Sequence, residues 1–224
     1  SVPLSVELAP RSLQAIVTVH GDAAGATTVT AMLGTSTLDL PVTVSAAPSG
    51  GVIISEYVEG GSFNKAIEVY NGSAEAIDLA SCSLTLYSNG SAAATETSPL
   101  ATAGTLAPGS TFVACNTSTA LPAALKDRCQ GQLAAINFNG DDAVVLTCND
   151  VVVDVFGQVG FDPGTAWGAA ATELTWTADH TLRRKCGIAF GDPDGSNAFD
   201  PSAQWDGFAK DTFDGLGSHA IACP

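Results

Sequence analysis

The chain is poor in basic residues. Among its 224 residues, 8 are Lys or Arg and 23 are Asp or Glu, so the formal net charge at pH 7 is −15. Binding to a phosphate backbone or to an anionic membrane surface requires a broad surface of Lys and Arg. We therefore expect no appreciable binding of nucleic acid by this chain alone, and no adhesion to anionic lipid.

Long apolar runs are missing as well. No stretch approaches the roughly 18 apolar residues that indicate a membrane helix. The longest candidates, residues 143–146 and 151–153, have the length of strands. Hydrophobic residues still make up 46% of the chain, which is sufficient for a packed core. The composition therefore predicts a folded protein without a membrane span.

Sequence patterns of common enzyme classes are also absent. The three histidines, His20, His180 and His219, lie far apart and form no H-E-x-x-H or H-x-H pattern, and no G-x-S-x-G motif occurs. A Ser-His-Asp triad can still assemble in space, so that alternative stays open. We predict that each histidine has a structural role and that this chain has no catalytic residues.

The six cysteines contain no C-x-x-C pair, which argues against zinc and thioredoxin-type sites. Their even number and wide spacing favour three disulfides in an oxidising compartment, the alternative being buried free thiols. The chain begins at Ser1 without an initiator Met or a signal-peptide pattern, so we interpret it as a processed secreted product. Among the 15 pairings that six cysteines allow, we predict Cys115–Cys129 as a local clip, with Cys82–Cys148 and Cys186–Cys223 as the remaining pairs.

The sequence is rich in period-two alternation, which indicates antiparallel strands. Residues 1–46 contain four such runs, separated by glycines. A complete immunoglobulin-like sandwich takes about 100 residues, so this segment is predicted to be a partial one. Residues 47–51, Ala-Pro-Ser-Gly-Gly, have the composition of a linker.

Residues 52–224 are predicted to form a second β domain with long C-terminal loops. One short turn of helix is predicted within residues 120–126, and residues 148–150 are predicted to close a hairpin. The predicted strands are residues 52–57, 66–71, 83–87, 111–115, 143–147, 151–155 and 181–185.

A series of motifs in this second domain resembles the lamin tail domain as bacteria use it. It opens with VIISEYVEGGSFNKAIEVYN at residues 52–71 and continues with FNGDDAVVL at 138–146 and VDVFGQVG at 153–160. Each motif is weak alone, and their order carries the resemblance over residues 52–221. The other matching segments are residues 77–79, 84–90, 104–109, 181–185, 198–202, 204–208 and 211–219.

The resemblance implies an all-β fold, an immunoglobulin-like antiparallel β-sandwich. It is to the form that precedes the catalytic domain in secreted bacterial nucleases of the endonuclease/exonuclease/phosphatase superfamily. The chain ends at Pro224 without such a catalytic domain. The resemblance thus favours a non-catalytic accessory or interaction module of a secreted bacterial protein, with a protein, envelope or glycan surface as partner.

Two other functions stay open. One is a structural subunit of an extracellular fibre or surface assembly, in which residues 1–46 exchange strands between molecules. The other is the N-terminal, non-catalytic part of a secreted DNA endonuclease.

The acidic segment near the C-terminus is the best candidate for a metal site. Asp192, Asp194, Ser196 and Asp200 supply the oxygen ligands that Ca²⁺ prefers, in an alternating pattern. The glycine at position 195 is misplaced for an EF-hand loop, and no Glu closes the run. The alternative is that these side chains form Asx turns.

Two further groups of residues admit a binding and a structural interpretation. Arg183, Arg184 and Lys185 make up 3 of the 8 basic residues, and we expect them to pair with nearby Asp rather than with nucleic acid. The second group is aromatic. We predict that these aromatic residues anchor long loops, the alternative being that they line a ligand groove. They are Trp167, Trp176, Trp205, Phe161, Phe199 and Phe208.

Overall fold

The fold is taken from a computed structural model, which describes residues 25–44, 50–101 and 104–223. Its contacts divide the chain into two units, Ser1–Ser49 and Gly50–Pro224. The strands predicted before residue 25, residues 47–49 of the predicted linker and His20 lie outside the described residues. The domain bounds given above stay a prediction.

The described part of the first unit is a β-hairpin. Strand β1 (Gly25–Leu33) pairs antiparallel with β2 (Ser36–Val44) over their full lengths. Gly34 lies in the connecting turn with a φ of +63°, a conformation that glycine adopts without a steric penalty.

The second unit is a β-sandwich with two short α-helices, α1 (Ala123–Lys126) and α2 (Pro201–Gln204). The all-β, immunoglobulin-like fold predicted from the sequence is confirmed. Its strands are β3 (Val52–Glu59), β4 (Lys65–Asn71), β5 (Ile77–Asp78), β6 (Cys82–Tyr87), β7 (Glu96–Pro99), β8 (Thr105–Leu106), β9 (Thr111–Cys115), β10 (Gly131–Gln132), β11 (Ala143–Cys148), β12 (Val151–Phe156), β13 (Thr181–Arg184) and β14 (Trp205–Phe208).

The strands form two main sheets. One has six strands in the order β10-β9-β4-β3-β13-β14, and the other has four in the order β12-β11-β6-β7. All neighbours in both sheets are antiparallel except β10 and β9, which are parallel. Strands β5 and β8 make a separate two-stranded ladder.

The core fills the space between the two sheets. Because side chains alternate across a strand, each strand contributes every second residue to it. Tyr57 of β3 stacks on Phe156 of β12, with ring centroids 3.9 Å apart, and on Phe138 at 4.7 Å. Val69 and Leu182 from the larger sheet and Leu84, Val144 and Leu146 from the smaller sheet belong to the same cluster.

A second, smaller cluster lies on the outer face of the six-stranded sheet. Val58 and Val113 of this face are covered by Leu125 of α1 and by Leu216 near the C-terminus. The C-terminal segment is therefore packed against the outer face of the sandwich.

Three disulfides tie the sandwich together. Cys82 of β6 and Cys148 of β11 are directly opposite one another, with Cα atoms 4.0 Å apart. Cys115, at the end of β9, is joined to Cys129, which follows α1. Cys186, two residues beyond β13, is joined to Cys223.

A buried ion pair connects the two sheets. The Asp154 carboxylate of β12 lies 2.5 Å from Arg184 Nη2 of β13, and both side chains are almost completely buried. The ladder between β3 and β13 ends where Glu56 is opposite Arg183. Beyond that point, the backbone of Ile54 is bound by the Asp154–Arg184 ion pair instead of by a strand. Ile54 N donates to Asp154 at 2.8 Å, and Ile54 O accepts from Arg184 Nε at 2.8 Å.

Further groups occupy the remaining hydrogen-bond donors and acceptors of Asp154 and Arg184. Asp192 N donates to the second carboxylate oxygen of Asp154 at 2.9 Å, and Arg184 also donates to Gln204. The Arg184 guanidinium stacks on the Trp205 ring at 4.4 Å. Burying two charges is tolerated only when such partners occupy their remaining donors and acceptors.

The disulfide pairing predicts a graded loss of stability. The Cys82–Cys148 bridge closes a 66-residue loop, so replacing both cysteines by Ala removes about 4 kcal/mol from the free energy of unfolding in the chain-entropy description. The shorter Cys115–Cys129 loop corresponds to about 3 kcal/mol. Urea denaturation measures both losses, and non-reducing peptide mapping checks the pairs; free thiols at most positions would contradict them.

The ion pair predicts a large effect of charge removal at Asp154. Asp154→Asn leaves Arg184 buried without its counter-ion, so we expect a loss of about 3–5 kcal/mol in the free energy of unfolding. Asp127→Asn is the matched control, because the Asp127 side chain is exposed. If urea denaturation shows the same loss in the free energy of unfolding for both variants, the ion pair does not have this role.

Candidate functional site

The hairpin presents an apolar face. Residues directly opposite in an antiparallel pair share a face, and Val29 is opposite Leu40 while Ala31 is opposite Leu38. Leu38 is 70% exposed and Leu40 is 59% exposed. We call Val29, Ala31, Leu38 and Leu40 the hairpin face.

The other side of the hairpin is mainly polar. It carries Thr28, Thr30 and Thr37, and the Thr30 hydroxyl donates to Asp39 at 2.6 Å. Asp39 is the only charged residue between positions 25 and 44. The hairpin face therefore combines exposed apolar side chains with very little charge, as at the centre of protein–protein interfaces.

A row of charged residues crosses the outer face of the six-stranded sheet. Glu56 of β3 is directly opposite Glu68 of β4 on one side and Arg183 of β13 on the other, and Asp206 of β14 is opposite Arg183. Glu56 is 2% exposed and Glu68 is 1% exposed. We call Glu56, Glu68 and Arg183 the buried charge row.

Residues 212–219 lie over this row, and we call them the strap. Gly217 N donates to Glu68 Oε2 at 2.5 Å, and Asp214 forms an ion pair with Arg183. Gly215 passes so close that an added Cβ would overlap Arg183 Nε and Glu56 Oε2. The strap therefore buries both glutamates.

The two glutamates differ in how they are satisfied. Glu68 accepts from the Ser55 hydroxyl at 2.6 Å as well as from Gly217. Glu56 Oε1 is buried without a hydrogen-bond partner, and Arg183 Nε, 3.3 Å from the other Glu56 oxygen, is not aligned for a hydrogen bond. Burial raises the pKa of Glu56 to about 8, and it also raises the pKa of Glu68.

Sequence reasoning missed the buried charge row, although a signal was present. Glu56 and Glu68 stand inside two of the most apolar strands. Glu68 falls between the core residues Ile67 and Val69. The irregularity of β3 between Ile54 and Glu56 turns Glu56 to the same outer face. Burial of that face depends on the strap, which is almost 150 residues away from Glu68 in sequence. Alternation within a strand carries no information about such a cover.

The structure gives the predicted calcium ligands another use. Asp192 accepts from Asp194 N at 3.0 Å, Asp194 from Ser196 N at 3.0 Å, and Asp200 from Ser202 N at 2.9 Å. These are the Asx turns of the alternative interpretation, and the last one caps α2. Within the described ranges, no group of three or more His, Cys, Asp or Glu is arranged to hold a metal ion. The calcium site stays an untested alternative to these turns.

Two of the three basic residues pair with nearby Asp, as expected, and the third binds a backbone carbonyl instead. Arg183 lies beside Glu56 and Asp214, Arg184 pairs with Asp154, and Lys185 Nζ donates to Ser202 O at 2.7 Å. Alternation sends Arg183 to the outer face and Arg184 into the sandwich.

Most of the aromatic residues pack as loop anchors. Trp205 and Trp167 are buried, and Phe199 contacts Phe156 and Trp167 at centroid distances of 4.9 and 5.6 Å. Phe161, which is 51% exposed, departs from the expectation that all six are buried anchors.

The two described histidines occupy different surroundings. His180 Nδ1 lies 2.8 Å from Ala178 O. The His219 ring makes an edge contact with Tyr70 at 4.9 Å, and its Nε2 is buried without a partner. Burial lowers the pKa of His219 to about 4.

Comparison with sequence families decides the affiliation. The sequence model of the lamin tail domain matches residues 45–160, just over half of the chain. The chain belongs to the lamin tail domain family. Comparisons with curated proteins and with solved structures give no match.

The lamin tail domain is a non-catalytic, immunoglobulin-like domain, in agreement with the sandwich described above. The match contains Glu56 and Glu68 of the buried charge row. Arg183 and the strap follow its last residue, so the cover over the row lies outside the matched range. Within the described residues, no helix is long and apolar enough to span a bilayer.

Calcium titration separates the two interpretations of the acidic segment of this lamin tail domain. Because the Asp192, Asp194 and Asp200 carboxylates already accept backbone hydrogen bonds, we expect no saturable heat of binding in calorimetry up to roughly millimolar Ca²⁺, the upper range for extracellular calcium modules. Saturable binding that Asp194→Asn abolishes and Asp127→Asn retains would establish the calcium site instead.

Proposed function

We propose that this lamin tail domain protein is a non-catalytic interaction module of a secreted bacterial protein. The observation that carries the proposal is the hairpin face, where Leu38 and Leu40 are exposed together. Three disulfides support an oxidising, extracellular location.

The hairpin favours a protein as the partner. Most of its exposed side chains are apolar or are threonines, and the net charge of −15 resides almost entirely elsewhere in the chain. An anionic envelope polymer would be repelled by that overall charge. A partner protein can bury the apolar side chains and gains about 25 cal/mol for each Å² of apolar surface removed from water.

A structural subunit is the second candidate function. In the described residues, β1 and β2 pair only with each other, which leaves one edge of each nine-residue strand unpaired. Unpaired edges accept strands from other chains. A second copy of the chain that contributes such a strand would extend the hairpin from molecule to molecule, and a contact that does not close produces a filament.

Charge substitution on the hairpin tests the proposal. We expect Leu38→Asp/Leu40→Asp to abolish capture of partner proteins from the culture medium, because burying two carboxylates at an apolar contact is costly. Thr28→Asp/Thr37→Asp adds the same charge to the opposite side and is expected to retain capture. Affinity purification with each full-length chain, followed by mass spectrometry, compares the variants.

Two outcomes would contradict this assignment. If the Leu and Thr variants capture the same proteins to the same extent, the hairpin face is not the binding surface. Sedimentation velocity can also show that the wild-type chain forms larger assemblies as its concentration rises. If only the Leu variant then stays monomeric, the chain is a structural subunit rather than an interaction module.

A further inference from the structure

We propose that the strap is a pH-dependent cover, seated on the outer face of the six-stranded sheet by a proton that Glu56 carries and released when that proton is lost. This device concerns a different face from the hairpin and does not depend on the function proposed above.

Acidic groups outnumber basic groups where the strap meets the sheet. Three carboxyl groups, those of Glu56, Glu68 and Asp214, lie around the Arg183 guanidinium, and Asp206 of β14 is directly opposite Arg183 as well. Like charges directly opposite on neighbouring strands destabilise a sheet, and Glu56 and Glu68 occupy such positions. Of the two buried carboxyl groups, Glu56 and Glu68, one must be neutral if the buried charges are to balance the single Arg183 guanidinium, since Asp214 is exposed.

The hydrogen bonds show which group is neutral. Both oxygens of Glu68 have donors, Ser55 Oγ and Gly217 N, so this side chain is suited to the charged form. Asp214 is exposed and paired with Arg183, which lowers its pKa. Glu56 is left with one buried oxygen that no donor reaches. Glu56 is therefore the group that holds the proton.

The charged groups that face Glu56 come from three elements. Glu68 lies on β4, Arg183 on β13 and Asp214 on the strap itself. Burial is the largest influence and raises the pKa of Glu56, Arg183 opposes it, and Glu68 adds to it. The resulting pKa is about 8, against an ordinary value of 4.5.

The sign of the effect follows from linkage. A carboxyl group whose pKa is raised in the closed state stabilises that state fully below its ordinary value of 4.5, and this stabilisation is lost as the pH rises to about 8. Within that interval, each rise of one pH unit shifts the equilibrium between the closed and the open strap about tenfold toward the open state. Tenfold is the largest shift that the release of a single proton can produce. Above pH 8, where Glu56 is ionised in both states, its ionisation no longer changes the balance between the closed and the open strap.

The strap is built to open and to close again. Besides the packing of Leu216 and Phe213 and the edge contact of His219 with Tyr70, it is attached by single polar contacts, such as Arg128 Nη1 to Leu216 O at 2.7 Å and Thr181 Oγ1 to Thr212 O at 3.0 Å. The Cys186–Cys223 disulfide holds the chain just beyond it. An open strap thus stays tethered near the face that it uncovers.

Hydrogen exchange of the full-length protein tests the proposal. Exchange at residues 212–219 is followed by mass spectrometry from pH 6.5 to 9, a range in which His219, with a pKa near 4, stays neutral. Glu56→Gln imitates the protonated side chain and shares the same intrinsic exchange rates at the strap. We expect wild-type protection, relative to this variant, to fall by about tenfold per pH unit up to pH 8 and then level off.

The control is Glu75→Gln, which removes an exposed carboxylate and should follow the wild type. If wild-type and Glu56→Gln straps lose protection in parallel, the proposal is wrong. A second measurement applies even if Glu56→Gln does not fold. Carbon NMR titration of the wild-type glutamate carboxyls must show one midpoint near pH 8, assigned to Glu56; a midpoint between pH 4 and 5 for that residue would also overturn the proposal.

Discussion

The sandwich depends on one interaction between its sheets, the Asp154–Arg184 ion pair. It binds the N–H and C=O of Ile54 where the ladder between β3 and β13 ends, so it supplies hydrogen bonds that the sheet cannot. Through Asp192 N it also holds the acidic segment that follows β13 against β12. An unpaired backbone amide and carbonyl inside the sandwich would each be costly, which explains why a charged pair is retained among apolar residues.

The same strand carries two arginines with opposite consequences. Arg184 points into the sandwich, where every partner is aligned, and the pair acts as a permanent link. Arg183 points outward to a site where Glu56 Oε1 and its own Nε are left unsatisfied. A fully satisfied buried network rigidifies a structure, whereas a partly satisfied one is the place where protonation changes the energy.

The two units pose different physical problems. The sandwich buries its apolar surface between two sheets and under the strap, and its disulfides are internal. An isolated two-stranded hairpin is only marginally stable in water, and the described hairpin exposes Leu38 and Leu40. The lamin tail domain match covers residues 45–160, so most of the sandwich lies inside it, whereas the hairpin face and the strap lie outside it.

The sequence by itself determined the fold class and most of the strands. Short apolar or alternating runs bounded by turn residues placed β3, β4, β6, β9, β11 and β12 to within a few residues, because both the run and its turn residues are local features of the chain. It missed β5, β7, β8, β10, β14 and the four residues of α2, which are too short to show a period. The hairpin face was visible too, as the alternation of Leu38 and Leu40.

Only the tertiary structure decided which polar residues matter. The three aspartates among the predicted calcium ligands accept local backbone hydrogen bonds, whereas Glu56 and Glu68 were not singled out. Whether a carboxylate on a strand is solvated or buried depends on what covers the strand, and here the cover comes from residues 212–219 at the far end of the chain. The energy of an ionisable group is set by desolvation and by neighbouring charges in space, and neither quantity can be read from positions along the sequence.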